Sequence, residues 1–247
     1  MSSLASANVE FSGTTRRFHF REQTSDEAVV RMVLVNKQYD PTRLARYPEL
    51  IAFARRREAS GLKPLIVDAG ANIGATSLYF CVQYPSAEVV AVEPDRDNAD
   101  LLSRNVAGLN VEVIRGALSS NQGRARVVDV GRGHWAYRTE SIAGTEPAPD
   151  TIPHVTINDI YASRAAGFFP FIAKIDIEGA ERDLFSDNTE WVARTPLIII
   201  ELHDWMLPKA GTSAPFLRCI SRLDRDFVYR GEDIYSIAND LDALAAA

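Results

Sequence analysis

Short apolar runs of strand length recur along the chain, and between them apolar residues return at helical spacing. The runs at 65–67, 88–93, 171–175 and 196–202 are mostly apolar, as strands covered on both faces require, and 111–115 reads as a further strand. Residues 98–106, the set Leu184, Trp191 and Val192, and the set Phe216, Ile220 and Leu223 follow helical periodicity. This alternation predicts a doubly wound, mostly parallel α/β sheet. Runs at 227–229 and 234–237 flank Gly231 and predict a terminal antiparallel hairpin.

The flanking regions are less regular. Residues 1–10 are small and polar, and are expected to be frayed. Residues 17–22 alternate around Phe18 and Phe20 like a short strand, and 32–35 read as its partner or as a helix end. Pro48 suits the first turn of a helix whose apolar face is Leu44, Tyr47, Leu50, Ile51 and Ala54. Arg55, Arg56 and Arg57 lie near its end, and Gly61 is placed to stop it. Residues 1–60 are thus an N-terminal α/β extension or cap on a main domain at 61–247. A further strand is expected at 124–130. Residues 131–153 are too rich in Gly and Pro, and too long, for a routine connection, which predicts a functional loop or lid before a short helix at 156–164.

Composition narrows the class. The 247 residues, 46% hydrophobic and 24% charged, suit one large α/β domain. A net charge of −6 offers no general attraction to nucleic acid or to anionic membrane. Cys81 and Cys219 form no CxxC pair and read as buried free thiols. No apolar run is long enough to span a bilayer and no leader begins at Met1, so a cytoplasmic protein without membrane insertion is expected. Homo-oligomerisation is left open.

The turn after the first parallel strand, Asp-Ala-Gly-Ala-Asn-Ile-Gly at 68–74, carries the candidate chemistry. Asn72 stands where a dinucleotide fingerprint has its second glycine, and no Gly-Lys-Ser/Thr follows as in a P-loop. An acidic residue at the head of the turn suits a cation better than a phosphate. S-adenosyl-L-methionine, with an ammonium, a sulfonium and no phosphate, has that character. Asp68 is placed for its amino-acid end, directly or through water, Gly70 and Gly74 allow close backbone approach, and Asn72 between them is a further cofactor-binding candidate. Glu93, at the end of the next strand and followed by Pro94, is placed for the ribose hydroxyls. Gly116 and Ala117, after the third strand, fall near the adenine.

VDAGANIG (67–74), VEPD (92–95) and KIDIEGAE (174–181) resemble the signature blocks of FkbM-family S-adenosylmethionine-dependent methyltransferases. Glu201-Leu-His203 is similar to the end of that family's fifth strand. The resemblance covers roughly residues 60–205 and implies the seven-stranded class I methyltransferase architecture. It also implies O-methylation, commonly of sugar or polyketide hydroxyls. Residues 1–60 and the lid carry least of it and are expected to choose the acceptor, a saccharide or another small molecule.

Methyl transfer to an alcohol calls for in-line positioning and for help in removing a proton. Asp176 and Glu178 follow one strand while Glu201 and His203 end its expected neighbour, so all four should converge on one cleft. His203 is the first candidate base, because its ordinary pKa lies nearest neutrality. Asp176 or Glu201 would orient it or take the proton, and Asp176 would also face the donor. The same four residues alternatively form an oxygen-rich Mg²⁺ or Mn²⁺ site, and metal dependence is left open. Lys174 is placed to neutralise these carboxylates, and Glu181 to open the next helix. In the lid, His134 and Arg138 are the acceptor candidates, near Tyr137, while Trp135 reads as an anchor.

Overall fold

A computed structural model describes residues 3–11, 14–129, 137–142, 148 and 150–246. The chain opens with an antiparallel hairpin of β1 (Leu4–Phe11) and β2 (Thr14–Arg21). Residues 4–10 therefore form a paired strand, where fraying was expected. The partner of β2 precedes it, and residues 32–35 instead end a helical segment that starts with α1 (Asp26–Val29) and widens over Val30–Val35. The longest helix, α2 (Tyr47–Ala59), has Pro48 in its first turn. Two of its last three arginines hold the C-terminal segment: Arg56 pairs with Asp242 at 2.8 Å, and Arg57 donates to the Ala245 carbonyl at 2.6 Å.

The main sheet then begins. β3 (Lys63–Ala69), α3 (Ala75–Gln83), β4 (Glu88–Glu93), α4 (Arg96–Asn105) and β5 (Val111–Arg115) follow in strict alternation. Asp95 caps α4 by accepting from the Asn98 backbone N–H at 2.9 Å, which starts that helix two residues earlier than its periodicity suggested. A small sheet interrupts the alternation, built from β6 (Ala117–Leu118), β7 (Arg124–Asp129), β8 (Tyr137–Ile142) and β9 (Ile152–Val155) in the order β6-β9-β7-β8. The expected lid thus contains two strands; its His134 and Trp135 lie outside the described residues.

Alternation resumes with α5 (Ile157–Arg164), β10 (Phe168–Ile175), α6 (Glu181–Leu184), α7 (Glu190–Arg194), β11 (Leu197–Glu201) and α8 (Ala214–Ile220). β12 (Arg225–Arg230), β13 (Asp233–Ala238) and α9 (Leu241–Ala246) end the chain. The seven-stranded sheet runs β12-β13-β11-β10-β3-β4-β5. It is mixed: β11, β10, β3, β4 and β5 are mutually parallel, and β13 runs antiparallel to both its neighbours.

Successive strand residues feed opposite faces. Ile66, Ile172, Leu197 and Ile199 join one buried cluster with α2 and α3, while Val67, Ala173, Ile198 and Ile200 join another with α5 and α8. The N-terminal residues have no core of their own, since Phe18, Val33, Tyr39 and Leu44 belong to the first of those clusters. Asn105 pins β2 to α4 as well, accepting from His19 N at 2.8 Å and donating to His19 O at 2.9 Å. Among the described residues, no helix is long and apolar enough to cross a membrane, and both cysteines are free, Cys81 buried and Cys219 partly exposed.

Phe18 is fully buried, so Phe18→Ala should cost about 3–5 kcal/mol in urea unfolding monitored by circular dichroism. A loss below about 1 kcal/mol would show that the hairpin is not integral to the core.

Candidate functional site

The parallel strands β3, β4, β10 and β11 deliver their C-terminal ends to one edge of the sheet, where ligands of open α/β folds bind. A cavity of about 570 Å³ lies there. Gly70, Asn72, Glu93, Pro94, Gly116 and Ala117 line one end of it, and Asp176, Glu178, Glu201 and His203 line the other. Ten of the twelve residues expected to touch donor or acceptor chemistry at the strand ends therefore share one space.

Asp68 and Gly74 are the exceptions. Asp68 is fully buried beneath the turn, where it accepts from Ser77 Oγ at 2.6 Å and pairs with Lys174 Nζ at 3.3 Å. That geometry takes it out of reach of a ligand in the cavity. Gly74 faces away too: at φ +87° it starts α3, and a Cβ there would meet Leu102 Cγ at 3.1 Å. It serves the packing of α3 on α4. Gly70 is needed for a different close approach, because a Cβ on it would lie 1.7 Å from the Asp176 carbonyl oxygen. The ends of β3 and β10 can meet only at a glycine.

At the first end of the cavity, Glu93 Oε2 accepts from the Asn72 N–H at 2.7 Å, and Oε1 accepts from the Asp95 N–H at 3.0 Å. Asn72 bends the turn back to that carboxylate with φ +51°, a conformation its short side chain tolerates. Burial pushes the Glu93 carboxyl up to about 7, against the lowering effect of those two N–H groups. Asn98 also donates to Glu93, and it in turn accepts from Arg21 of β2.

At the opposite end, His203 is buried with its Nδ1 2.9 Å from Glu181, itself fully buried. Nε2 faces Asp176 Oδ1 and Glu201 Oε1, each at 3.5 Å, and Glu178 Oε2 at 3.8 Å. Burial alone would lower the His203 pKa, but the hydrogen bond and charge of Glu181, with Asp176 and Glu178, raise it to about 9. That shift favours the protonated ring and so works against its expected role as the base. Burial and then the charge of Asp176 push Glu178 up to about 7 and Glu201 to about 8. Glu178 adopts φ +55°, an uncommon backbone state for glutamate that folds its carboxylate back beside Asp176.

Lys174 sits between the two ends. Its ammonium donates to the carbonyls of Ala69 at 3.2 Å and Gly70 at 2.8 Å, and lies 3.8 Å from Asp176 Oδ2. Burial opposes that charge, yet Asp68 and then Asp176 hold it in place. The Tyr39 ring covers the ammonium at 5.2 Å, and its hydroxyl donates to Asp176 Oδ2 at 3.1 Å.

Tyr39 and Glu181 are functional-site residues that the sequence reading missed or placed elsewhere. Glu181 does open α6 as expected, and its spacing of three from Glu178 could have shown that both carboxylates share one turn. Nothing local marks Tyr39, which reaches Asp176 across 137 positions of chain. Val29, Met32 and Val33 add an apolar wall from the same segment, and Trp205, 61% exposed, stands at the cavity's rim. Arg138 does not line the cavity; its strand neighbours Tyr137 and Thr139 do, while its guanidinium lies towards Gly179.

Residues 68–230 match the family described as methyltransferase FkbM domain. A curated relative, methyltransferase sdnD of Sordaria araneosa, is 49% identical over 65 residues, covering 24% of this chain and 25% of the relative. The match thus spans about a quarter of that protein's length. A crystal structure of a methyltransferase from Geobacter sulfurreducens is similar over 85% of this chain and 88% of its own, at 17% identity and a TM-score of 0.38. A mutant of MtNAS in complex with S-adenosylmethionine is similar over 87% of this chain and 66% of its own, at 14% identity and a TM-score of 0.38.

Replacing Lys174 by methionine strands the Asp68 carboxylate in the core. Lys174→Met should cost about 3–5 kcal/mol in urea unfolding. Adding Asp68→Asn should recover part of that loss, because it removes the unpaired charge. Equal stability of the single and double variants would show that the pair is not coupled.

Proposed function

The chain belongs to the FkbM methyltransferase family, and from that premise we propose that it moves the methyl group of S-adenosyl-L-methionine to a hydroxyl of a saccharide or glycosylated natural product. The observation that supports this reading is the division of one cavity between a nucleoside-type end and a carboxylate-rich end. Glu93 has lone pairs left after its backbone contacts and can accept from both ribose hydroxyls. Gly116 and Ala117 flank the adenine, and the Gly70–Asn72 turn meets the rest of the donor. With Asp68 engaged by Lys174, that turn's backbone takes over the place first given to the Asp68 side chain.

The acceptor enters past Trp205, whose exposed indole offers a face for a sugar ring. As the acceptor oxygen bonds to the methyl carbon, the carbon–sulfur bond breaks and the sulfonium becomes the neutral thioether of S-adenosylhomocysteine. The hydroxyl proton passes to the carboxylate cluster of Asp176 and Glu201, which lines the cavity. His203, held by Glu181, sits 3.5 Å from Glu201 and Asp176 and fixes their position rather than taking the proton. In-line placement of the two substrates in a closed space supplies the rest.

Calorimetry should detect S-adenosylhomocysteine binding, and Glu93→Gln should weaken it by about tenfold or more, as loss of a charge-assisted contact requires. Absence of binding to the folded wild-type chain would remove the central claim. Below its pKa of about 7, Glu93 in the free protein carries a proton that it must lose to accept two hydroxyls. Affinity should therefore rise from about pH 6 to about pH 8 and then level, and the Gln variant should lack that rise. A screen of acceptors with labelled S-adenosylmethionine should yield a methyl ether; label recovered on nitrogen would overturn the oxygen assignment.

A further inference from the structure

We propose that Asp176, Glu178 and His203 form a site for one divalent cation of the Mn²⁺ or Mg²⁺ class at the carboxylate-rich end of the cavity. One oxygen from each carboxylate and one ring nitrogen all lie within 4.8 Å of one another. The nitrogen is 3.5 Å from Asp176 Oδ1 and 3.8 Å from Glu178 Oε2. An octahedral cation with bonds of about 2.1 Å holds neighbouring ligands ~3 Å apart and opposite ones ~4.2 Å apart. Both nitrogen–oxygen separations fall between those limits, so a cation can enter with side-chain adjustments.

A second observation points the same way. His203 is 1% exposed, and its Nε2 makes no hydrogen bond among the described residues, although it is aimed at the carboxylates. Its other nitrogen is fixed from behind by Glu181, also fully buried. With Nδ1–H given to a buried carboxylate, Nε2 points into the cluster, the arrangement that orients histidine ligands in metal sites, and a cation entering there displaces the Nε2 proton and takes its lone pair. Carboxylates converging on one nitrogen need positive charge between them, as a proton or as a cation. The nearest carboxylate oxygens, at 3.5 Å, are too distant for a good hydrogen bond to that nitrogen, whereas a cation at the centre would bond to all three groups.

The division of Asp176 fits this role. Tyr39 and Lys174 occupy its Oδ2, leaving Oδ1 for the cation. Glu201 Oε1, 3.5 Å from Nε2, adds negative charge beside the site. Two carboxylates with one imidazole and no thiolate form an oxygen-rich set that suits Mn²⁺ and Mg²⁺, while the imidazole disfavours Ca²⁺, which prefers oxygen alone. Three protein ligands leave three octahedral positions towards the cavity. On the methyl-transfer reading, one of these takes the acceptor hydroxyl, whose proton the cation makes easier to remove.

The test is titration of chelator-treated protein with Mn²⁺, following loss of the free-ion signal by electron paramagnetic resonance. One ion should bind per chain. Glu178→Gln and His203→Asn should each weaken binding by at least about tenfold, and Glu181→Gln, which holds the histidine from behind and also accepts from the Gly179 N–H, by roughly 10–100-fold. Should His203→Asn fail to fold, the partly exposed Glu178 carries the test, with S-adenosylhomocysteine calorimetry confirming an intact chain. Glu93→Gln should weaken the nucleoside while leaving Mn²⁺ affinity unchanged. No Mn²⁺ bound by wild-type protein, or equal affinity in the Glu178 and His203 variants, would overturn the site. Mn²⁺ binding without methyl transfer to any acceptor would count against the enzyme reading alone, and methyl transfer at full rate in excess chelator would count against the cation alone.

Discussion

Everything at the ligand-binding edge depends on one buried ammonium. Lys174 is almost completely enclosed, and its charge is held by Asp68 at the end of β3 and Asp176 just beyond β10. Its remaining protons go to the Ala69 and Gly70 carbonyls, the backbone of the turn that faces the cavity. One side chain thus ties two neighbouring strand ends and the turn into a single unit. A buried charge is costly unless every partner is in place, which makes this arrangement more demanding of its surroundings than an apolar filling would be. Gly70 is the steric counterpart, since only a residue without Cβ lets the Asp176 carbonyl come so near.

That unit explains why the two ends of the cavity differ in character. The Glu93 end is built from backbone N–H groups converging on one carboxylate, a geometry suited to a neutral, hydroxyl-bearing ligand. The far end gathers carboxylates around a histidine that a further buried carboxylate holds. Burial and then the charge of Asp176 raise Glu178 to about 7 and Glu201 to about 8 at that end. The histidine, raised above neutrality by the same neighbours, is the structural pivot among them.

Much of this was legible in the chain before any coordinates. Both-face apolar runs announced the parallel strands, and Gly70, Glu93, Asp176 and His203 were placed at strand ends where a ligand would meet them. Some placements differ for physical reasons. Asp68 was read as meeting a cationic ligand because an acidic residue opens the turn, yet its side chain lies where Ser77 and Lys174 engage it. His203 was read as a base from its free-solution pKa, which four surrounding carboxylates raise. Residues 4–10 looked frayed because no local signal shows that β2 will pair with them, and Tyr39 was silent because its partner is set by packing rather than spacing.

The N-terminal segment touches both ends of the cavity by separate routes. Arg21 reaches Glu93 through Asn98, and Tyr39 reaches Asp176 directly. Neither residue falls within the stretch 68–230 that carries the family match. For protein engineering, this means the N-terminal segment is not a detachable module. Grafting a foreign one to change the apolar wall would also exchange the supports of Glu93 and of the carboxylate cluster. A graft that keeps Arg21 and Tyr39 and alters only Val29, Met32 and Val33 is the cut that respects the wiring of this site.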